Sequence, residues 1–322
     1  MSRVWGIGLW VPLVVVVGLG VVPGITGSAS LRESMFVMLM SVGLASSLNI
    51  LLGYTGYVSF GHIVFFGLGG YVGFYTMSAH GWPLPAAALA GGVSAGILAF
   101  ILGRILLRLR GAYFALATLG INEAMRAFVV NFDPFGGPIG LDLNFSVYQS
   151  YGGAGRALWI TYWALLAVVA VVVVLSYLVK RSKFGLGLMA IREDEDAAEI
   201  MGVVAPSAKT WAYVLSAVVP GIIGVLFFFK NGSIEPPEAF RLHLSIELIV
   251  MVMLGGQGTV LGPVLGAFGY QRLRGYLLTS ELFSNIQLTV AGVLLLIIIL
   301  FIPAGAVGWI RRRVPGLREV LE

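Results

Sequence analysis

The sequence predicts an all-α, polytopic membrane helix bundle of about ten transmembrane helices, organised as a single domain over 1–322. Three observations carry that expectation. The 322 residues are 58% hydrophobic and only 11% charged, with a mean hydropathy of +0.95, whereas a soluble chain carries about 25% charged residues. Apolar runs of about 18 residues or more, the length a bilayer-crossing helix needs, recur along the chain. Basic residues gather between those runs, as they do in cytoplasmic loops. That pattern accounts for the net charge of +5 and the pI of ≈ 9.5 without invoking nucleic acid. The chain has no cysteine, which excludes disulfides, thiol catalysis and cysteine-ligated metal.

The first run, 4–22, follows Arg3 and precedes the small-residue stretch GSAS (27–30). It is longer than the roughly 7–15 apolar residues of a signal core, so it reads as a retained first helix. Runs at 34–52 and 58–78 flank GYTGYVSFGH (53–62), a polar, glycine-rich break. Runs at 84–103 and 112–130 bracket Arg104, Arg108 and Arg110. The polar stretch 131–157 is expected as an external loop. The run 158–179 opens into 180–209, which carries Lys180, Arg181, Lys183, Arg192 and Lys209. Runs at 210–229 and 243–261 follow, and GGQGTVLGP (255–263) forms a second break. A less apolar run, 261–280, contains Arg272 and Arg274, and 284–303 precedes Arg311, Arg312 and Arg313 in the tail 304–322.

With the three basic clusters on the cytoplasmic side, the number of crossings after 180–209 must be even. Either 261–280 crosses or a re-entrant pair stands in for it, and both termini are then cytoplasmic. The 44 glycines read mainly as helix-packing positions. In lipid, packing rather than hydrophobic burial drives helix association, and small residues permit close approach.

No GxxxxGK[ST], HExxH or GxSxG pattern is present, so the chain carries no recognisable ATP-hydrolysing or hydrolytic engine. His62, His80 and His243 are far apart in sequence, and no metal site is expected. A charge at mid-bilayer costs roughly 2.5–3.5 kcal/mol on insertion scales. Glu123 and Arg126 are three residues apart and share a helix face, so they are expected to pair. Glu247 is expected near the outer interface, within reach of water. No succession of buried acids suggests a proton-coupled carrier.

The most informative polar segment is KRSKFGLGLMAIREDEDAAEIMGV (180–203). Ile191, Ala198 and Met201 are expected on one face of a short helix, with Arg192, Glu193, Glu195, Asp196 and Glu199 largely elsewhere, before Gly202. It reads either as a solvated loop or as a docking helix. In the second case its apolar face enters a cytoplasmic partner and its charges fix the orientation.

Four motifs in order, GYTGYVSFGHIVFFGLGGY (53–71), RGAYFALATLGINE (110–123), SKFGLGLMAIREDEDAAEIMGV (182–203) and SIELIVMVMLGGQGTVLGPVLGA (245–267), carry a family resemblance. Over about 34–303 the chain resembles the permeases of branched-chain amino acid ABC importers, of the LivM type. The resemblance implies a type II ABC importer permease in the prokaryotic plasma (inner) membrane. It would pair with a LivH-type permease subunit or a second copy, two ABC ATPase subunits and a soluble substrate-binding protein. No cofactor is expected in this chain, since ATP and Mg would be bound by the ATPase subunits. Ile191, Arg192, Glu193, Glu195, Ala198, Glu199, Met201 and Gly202 would couple to an ATPase.

Urea and short-chain amide permeases share these motifs, and an ion-coupled secondary transporter is the alternative from another class. The translocation path is expected to be largely apolar and low in affinity, because the binding protein holds the ligand. Tyr54, Ser59, His62, Asn122 and Gln257 are its candidate residues, placed at or near the two breaks. Interrupted segments are the best sequence pointer to such a path.

Overall fold

The computed structural model describes residues 7–279 together with Thr289, Gly292, Val293, Gly305, Val307 and Gly308. The helices are α1 (Ile7–Thr26), α2 (Ala29–Thr55), α3 (Ile63–His80), α4 (Leu84–Leu106), α5 (Ala112–Val130), α6 (Phe145–Ser150), α7 (Ala154–Arg181), α8 (Lys183–Glu193), α9 (Glu195–Ile200), α10 (Ala205–Asn231), α11 (Pro236–Ala239), α12 (Leu242–Gly255) and α13 (Leu261–Thr279). Strands β1 (Leu141–Asp142) and β2 (Ser233–Ile234) form one short antiparallel pair. Among the described residues, five helices, α1, α2, α4, α7 and α10, are long and apolar enough to cross a membrane. Of the hydropathy runs up to 229, five fall on these helices, whereas 58–78 falls largely on α3 and 112–130 on α5. The run 284–303 and Arg311–Arg313 lie outside the described residues.

α10 is the hub. Its 27 residues span about 40 Å at 1.5 Å per residue, and it packs against α4, α3, α2 and α7. Glycine permits the closest of these approaches. A Cβ on Gly221 would stand 2.6 Å from the Gly91 carbonyl oxygen and 2.6 Å from Ala95 Cβ, both on α4. Gly69 of α3 lies against the same Gly221 backbone. This is the close packing expected of small residues in lipid.

The two ends of α10 differ. At its C-terminal end the stretch 131–157 does not hang free, as a long polar loop would. Leu141 pairs with Ile234 and Asp142 with Ser233. Tyr148 Oη donates to Phe229 O at 2.6 Å, and Tyr151 Oη accepts from Leu84 N at 2.7 Å. Lys230 and Glu33 pair at 2.7 Å at this end. The N-terminal end of α10 meets the C-terminal ends of α2 and α4 and the α8–α9 segment, and both basic clusters, 104–110 and 180–192, lie there.

Two expectations are corrected in the last third. The run 243–261 was expected to cross, but α12 has only 14 residues, about 21 Å against a hydrocarbon core of about 30 Å. The chain breaks after Gly255 because the glycine-rich loop that follows cannot hold a helix. The run 261–280, expected to cross or to be replaced by a re-entrant pair, forms one continuous 19-residue helix, α13. α12 and α13 form a tight hairpin in which a Cβ on Gly255 would lie 2.9 Å from Gly266 N. Glu247 is buried rather than open to water, and Arg274 of α13 donates to it at 3.3 Å. That pairing gives the arginine in the less apolar run its partner.

Candidate functional site

Lys209 lies one turn into α10 and is 2% exposed. A buried ammonium is tolerated only when its donors are taken up, and all three are. Its Nζ donates to Glu195 Oε1 at 2.7 Å, Leu107 O at 2.8 Å and Tyr57 Oη at 3.0 Å. Tyr57 Oη in turn donates to Glu195 Oε2 at 3.0 Å. The resulting clasp ties four segments together: α9 through Glu195, α10 through Lys209, the end of α4 through Leu107, and the α2–α3 connection through Tyr57. Arg110 extends it outward, 2.8 Å from Asp196 and 3.6 Å from Glu195. Its hydrogen bond and charge hold the Asp196 carboxyl below the ordinary carboxylate range. This outer pair is exposed, so it adds orientation more than stability.

The segment 183–202 is two helices rather than one. Ser182 caps α8 by accepting from Gly185 N at 3.0 Å. Asp194 stands in extended conformation and caps α9, its Oδ1 accepting from Ala197 N at 3.0 Å. Aspartate favours that position because its carboxylate satisfies an otherwise orphaned N–H. The break resets the helical phase. Ile191 and Ala198 turn into a buried cluster with Ile50, Tyr54, Leu188 and Ala212, while Met201 points out and is 84% exposed. The shared face expected for Ile191, Ala198 and Met201 therefore does not form. Ile200, Met201 and Val204 instead make an exposed apolar tip. Glu193, Glu199 and Gly202 are also exposed.

Arg192 does not join the solvated face. Its guanidinium donates to Gly53 O at 2.8 Å, at the end of α2, where Gly56 closes the helix in left-handed conformation. The second break arrives at the same place. Asn49 of α2 donates through Nδ2 to Thr259 O at 3.0 Å and accepts from Gly258 N at 2.9 Å through Oδ1. The Arg192 guanidinium lies so close to Gly258 that a Cβ there would stand 2.9 Å from it. The breaks 53–62 and 255–263 and the segment 183–202, distant in sequence, thus share one end of the bundle.

The five path candidates fall in and beside this region but are not equivalent. Tyr54 is fully buried, and its hydroxyl is hydrogen-bonded to Ser176 O at 3.0 Å and Ser176 Oγ at 2.8 Å, as a tie from α2 to α7. Ser59 is fully buried and Gln257 half-buried. His62 is buried with Nε2 at 3.4 Å from Ser47 Oγ, and its Nδ1 has no partner among the described residues. Asn122 donates to Phe240 O at 3.1 Å, and its buried Oδ1 likewise lacks one. Glu123 and Arg126 pair at 3.5 Å as their spacing predicts, on an exposed face in the C-terminal half of α5.

Tyr57, Asn49, Lys209, Ile200 and Val204 were not singled out by the sequence reading. Lys209 was counted within a basic cluster. Its burial has a sequence signal only in its place after Pro206, inside the first turn of an apolar helix.

The family model described as branched-chain amino acid transport system / permease component matches residues 28–302. The high-affinity branched-chain amino acid transport system permease protein LivM of Salmonella typhimurium is 32% identical over 251 residues, which cover 70% of this chain and 58% of that protein. LivM of Escherichia coli is 30% identical over 248 residues, again 70% of this chain and 58% of the relative. The match therefore spans less than two thirds of the length of these curated relatives. The ribose import permease protein RbsC of Bacillus subtilis is 28% identical over 190 residues, 58% of each chain. No solved structure matches the chain.

Proposed function

The chain belongs to the family of branched-chain amino acid transport permease components, and from that premise we propose that it is the membrane permease subunit of an ATP-driven importer. Its cargo is a branched-chain, hydrophobic amino acid delivered by a soluble binding protein. Two ATPase subunits on the cytoplasmic side bind ATP and magnesium and supply the work. The observation that carries this reading is the clasped segment 183–202. The Glu195–Lys209 pair fixes it to α10, the end of α4 and the α2–α3 connection, yet Ile200 and Met201, with the adjoining Val204, face outward. An apolar tip on a rigidly held, charged segment is what a cytoplasmic motor needs to grip. Arg192 then links that tip to the ends of both helix breaks, giving motion at the segment a short mechanical route into the bundle.

Further features support a second permease subunit and the inferred topology. Glu123 and Arg126 sit on an exposed face in the C-terminal half of a 19-residue helix, and charges within a membrane helix face protein or water rather than lipid. A partner permease, of LivH type or a second copy, would cover α5 and complete the path. The unpartnered buried atoms of His62 and Asn122 favour these two as places where water or ligand passes. We place the α8–α9 end in the cytoplasm and the 131–157 end outside, with about ten crossings and both termini cytoplasmic. The Salmonella and Escherichia relatives named for branched-chain amino acids, at 32% and 30% identity, are more similar than those named for ribose or fructose, at 28% and 25%.

Reconstitution tests the reading. Vesicles holding this chain, its partner permease and the ATPase subunits should accumulate leucine from a loaded binding protein only when ATP is supplied to the ATPase side. Leucine uptake by the purified chain alone under a proton or sodium gradient would instead establish an ion-coupled carrier. Uptake of urea with no leucine uptake would establish the amide reading.

A further inference from the structure

Adjoining the clasp, and sharing Leu107, Glu195 and Lys209 with it, the end of α4 and the start of α10 line an open cavity of ≈ 540 Å³ where Arg104, Arg108 and Trp211 also stand. Arg104, in the last turn of α4, and Arg108, in the turn just beyond that helix, are both exposed. Neither makes an ion pair among the described residues. Arg104 stacks on Phe100, its guanidinium carbon 4.9 Å from the ring centroid, and Phe100 lies 5.8 Å from the ring of Trp211. The carboxylates at the cavity do not neutralise this pair. Glu195 is committed to Lys209 and Arg110, Asp196 to Arg110, and only Glu199 remains to offset one of the two charges.

The approach to the cavity is equally distinctive. Leu89, Val93, Ile97, Ile101 and Ile105 of α4 recur every four residues, and all are more than half exposed. They form an aliphatic strip winding along α4 that passes beside Arg104, three residues after Ile101. α4 is long and apolar enough to cross a membrane, so the strip lies where acyl chains lie and the cavity at its end lies at headgroup depth. Trp211, half exposed at that level, is the kind of residue enriched at the membrane–water interface.

We propose that this cavity is a binding site for an anionic phospholipid, whose phosphate is held by Arg104 and Arg108 and whose acyl chain lies along the α4 strip. Guanidinium groups bind phosphate through paired, charge-assisted hydrogen bonds. Basic pockets between membrane helices are recurrent headgroup sites. A soluble ATPase subunit would meet the arginines but would leave the aliphatic strip uncovered, so the combined surface fits lipid. The inference rests on α4 and α10 lying in a membrane and not on the cargo or direction of transport.

The test uses the full chain in lipid nanodiscs. Brominated phosphatidylglycerol should quench tryptophan fluorescence more than brominated phosphatidylcholine, and Trp211→Phe should remove most of that difference. Arg104→Gln and Arg108→Gln should each weaken the preference about fivefold, with unchanged helical content and thermal unfolding. Equal quenching by the two lipids, or a preference that survives the double substitution, would overturn the proposal. So would inorganic phosphate matching the phospholipid's apparent affinity, since the strip would then contribute nothing. If ATPase subunits bind normally to the wild type and shield Trp211 from brominated lipid, the surface is a protein interface and the proposal fails.

Discussion

Lys209→Met is expected to abolish ATP-driven transport and to cost about 3–5 kcal/mol of stability, as removal of one partner from a buried ion pair does. Three donated hydrogen bonds disappear at once, to Glu195, Leu107 O and Tyr57. Glu195 keeps the bond from Tyr57 and a more distant Arg110, but loses the cation that neutralised it. The partner variant separates charge from coupling. Lys209→Met combined with Glu195→Gln removes the stranded carboxylate, so the stability loss should shrink well below that of the single variant. Transport should remain lost, because α9 is then no longer fixed to α10. Thermal unfolding in detergent and uptake in reconstituted vesicles read the two effects separately. A single variant as stable as the wild type would show that the clasp does not hold the segment.

Gly221→Leu should prevent accumulation of folded protein. The added carbon would stand 2.6 Å from the Gly91 carbonyl oxygen. Backbone of α4 cannot yield without parting from α10, and Ala95 Cβ of the same helix stands equally close. Overpacking of a core typically costs about 1–3 kcal/mol when side chains can adjust. Here the obstacle is the α4 backbone at Gly91 with Ala95 Cβ beside it, so the cost should exceed that range. Gly18→Leu supplies the control, because a Cβ at Gly18 meets nothing within 4 Å. Its yield of folded protein and its unfolding temperature should match the wild type.

Much of the architecture was legible because its signals are local. Hydropathy located the long helices, and 112–130 coincides with α5. The spacing of Glu123 and Arg126 predicted their pairing. The charge density of 180–203, without an engine in the chain, marked the candidate coupling segment. What failed depended on phase or on distance. Counting one helical period through Asp194 put Met201 beside Ile191 and Ala198, whereas the extended residue at 194 restarts the helix and turns Met201 outward. An aspartate able to cap a helix was visible there as a warning. The clasp joins residues up to 152 positions apart. Arg192 reaches Gly53 across 139 positions. No periodicity in the sequence encodes those encounters. The shortness of α12 follows from Gly255 and Gly256, a doublet that the apolar count had run through.

The chain contains no cysteine, so single engineered thiols give unambiguous positions in the assembled transporter. Met201→Cys lies on the exposed tip beyond α9, and Ile139→Cys, also highly exposed, lies at the opposite end of the bundle. In sealed vesicles of known orientation, the thiol at position 201 should react only with reagent on the ATPase side. It should crosslink to an ATPase subunit in the assembled complex. The thiol at position 139 should react only from the other side and should form no such crosslink. An ATPase crosslink at position 139, or none at 201 in an assembled and transporting complex, would contradict the claim that 183–202 couples this permease to its motor.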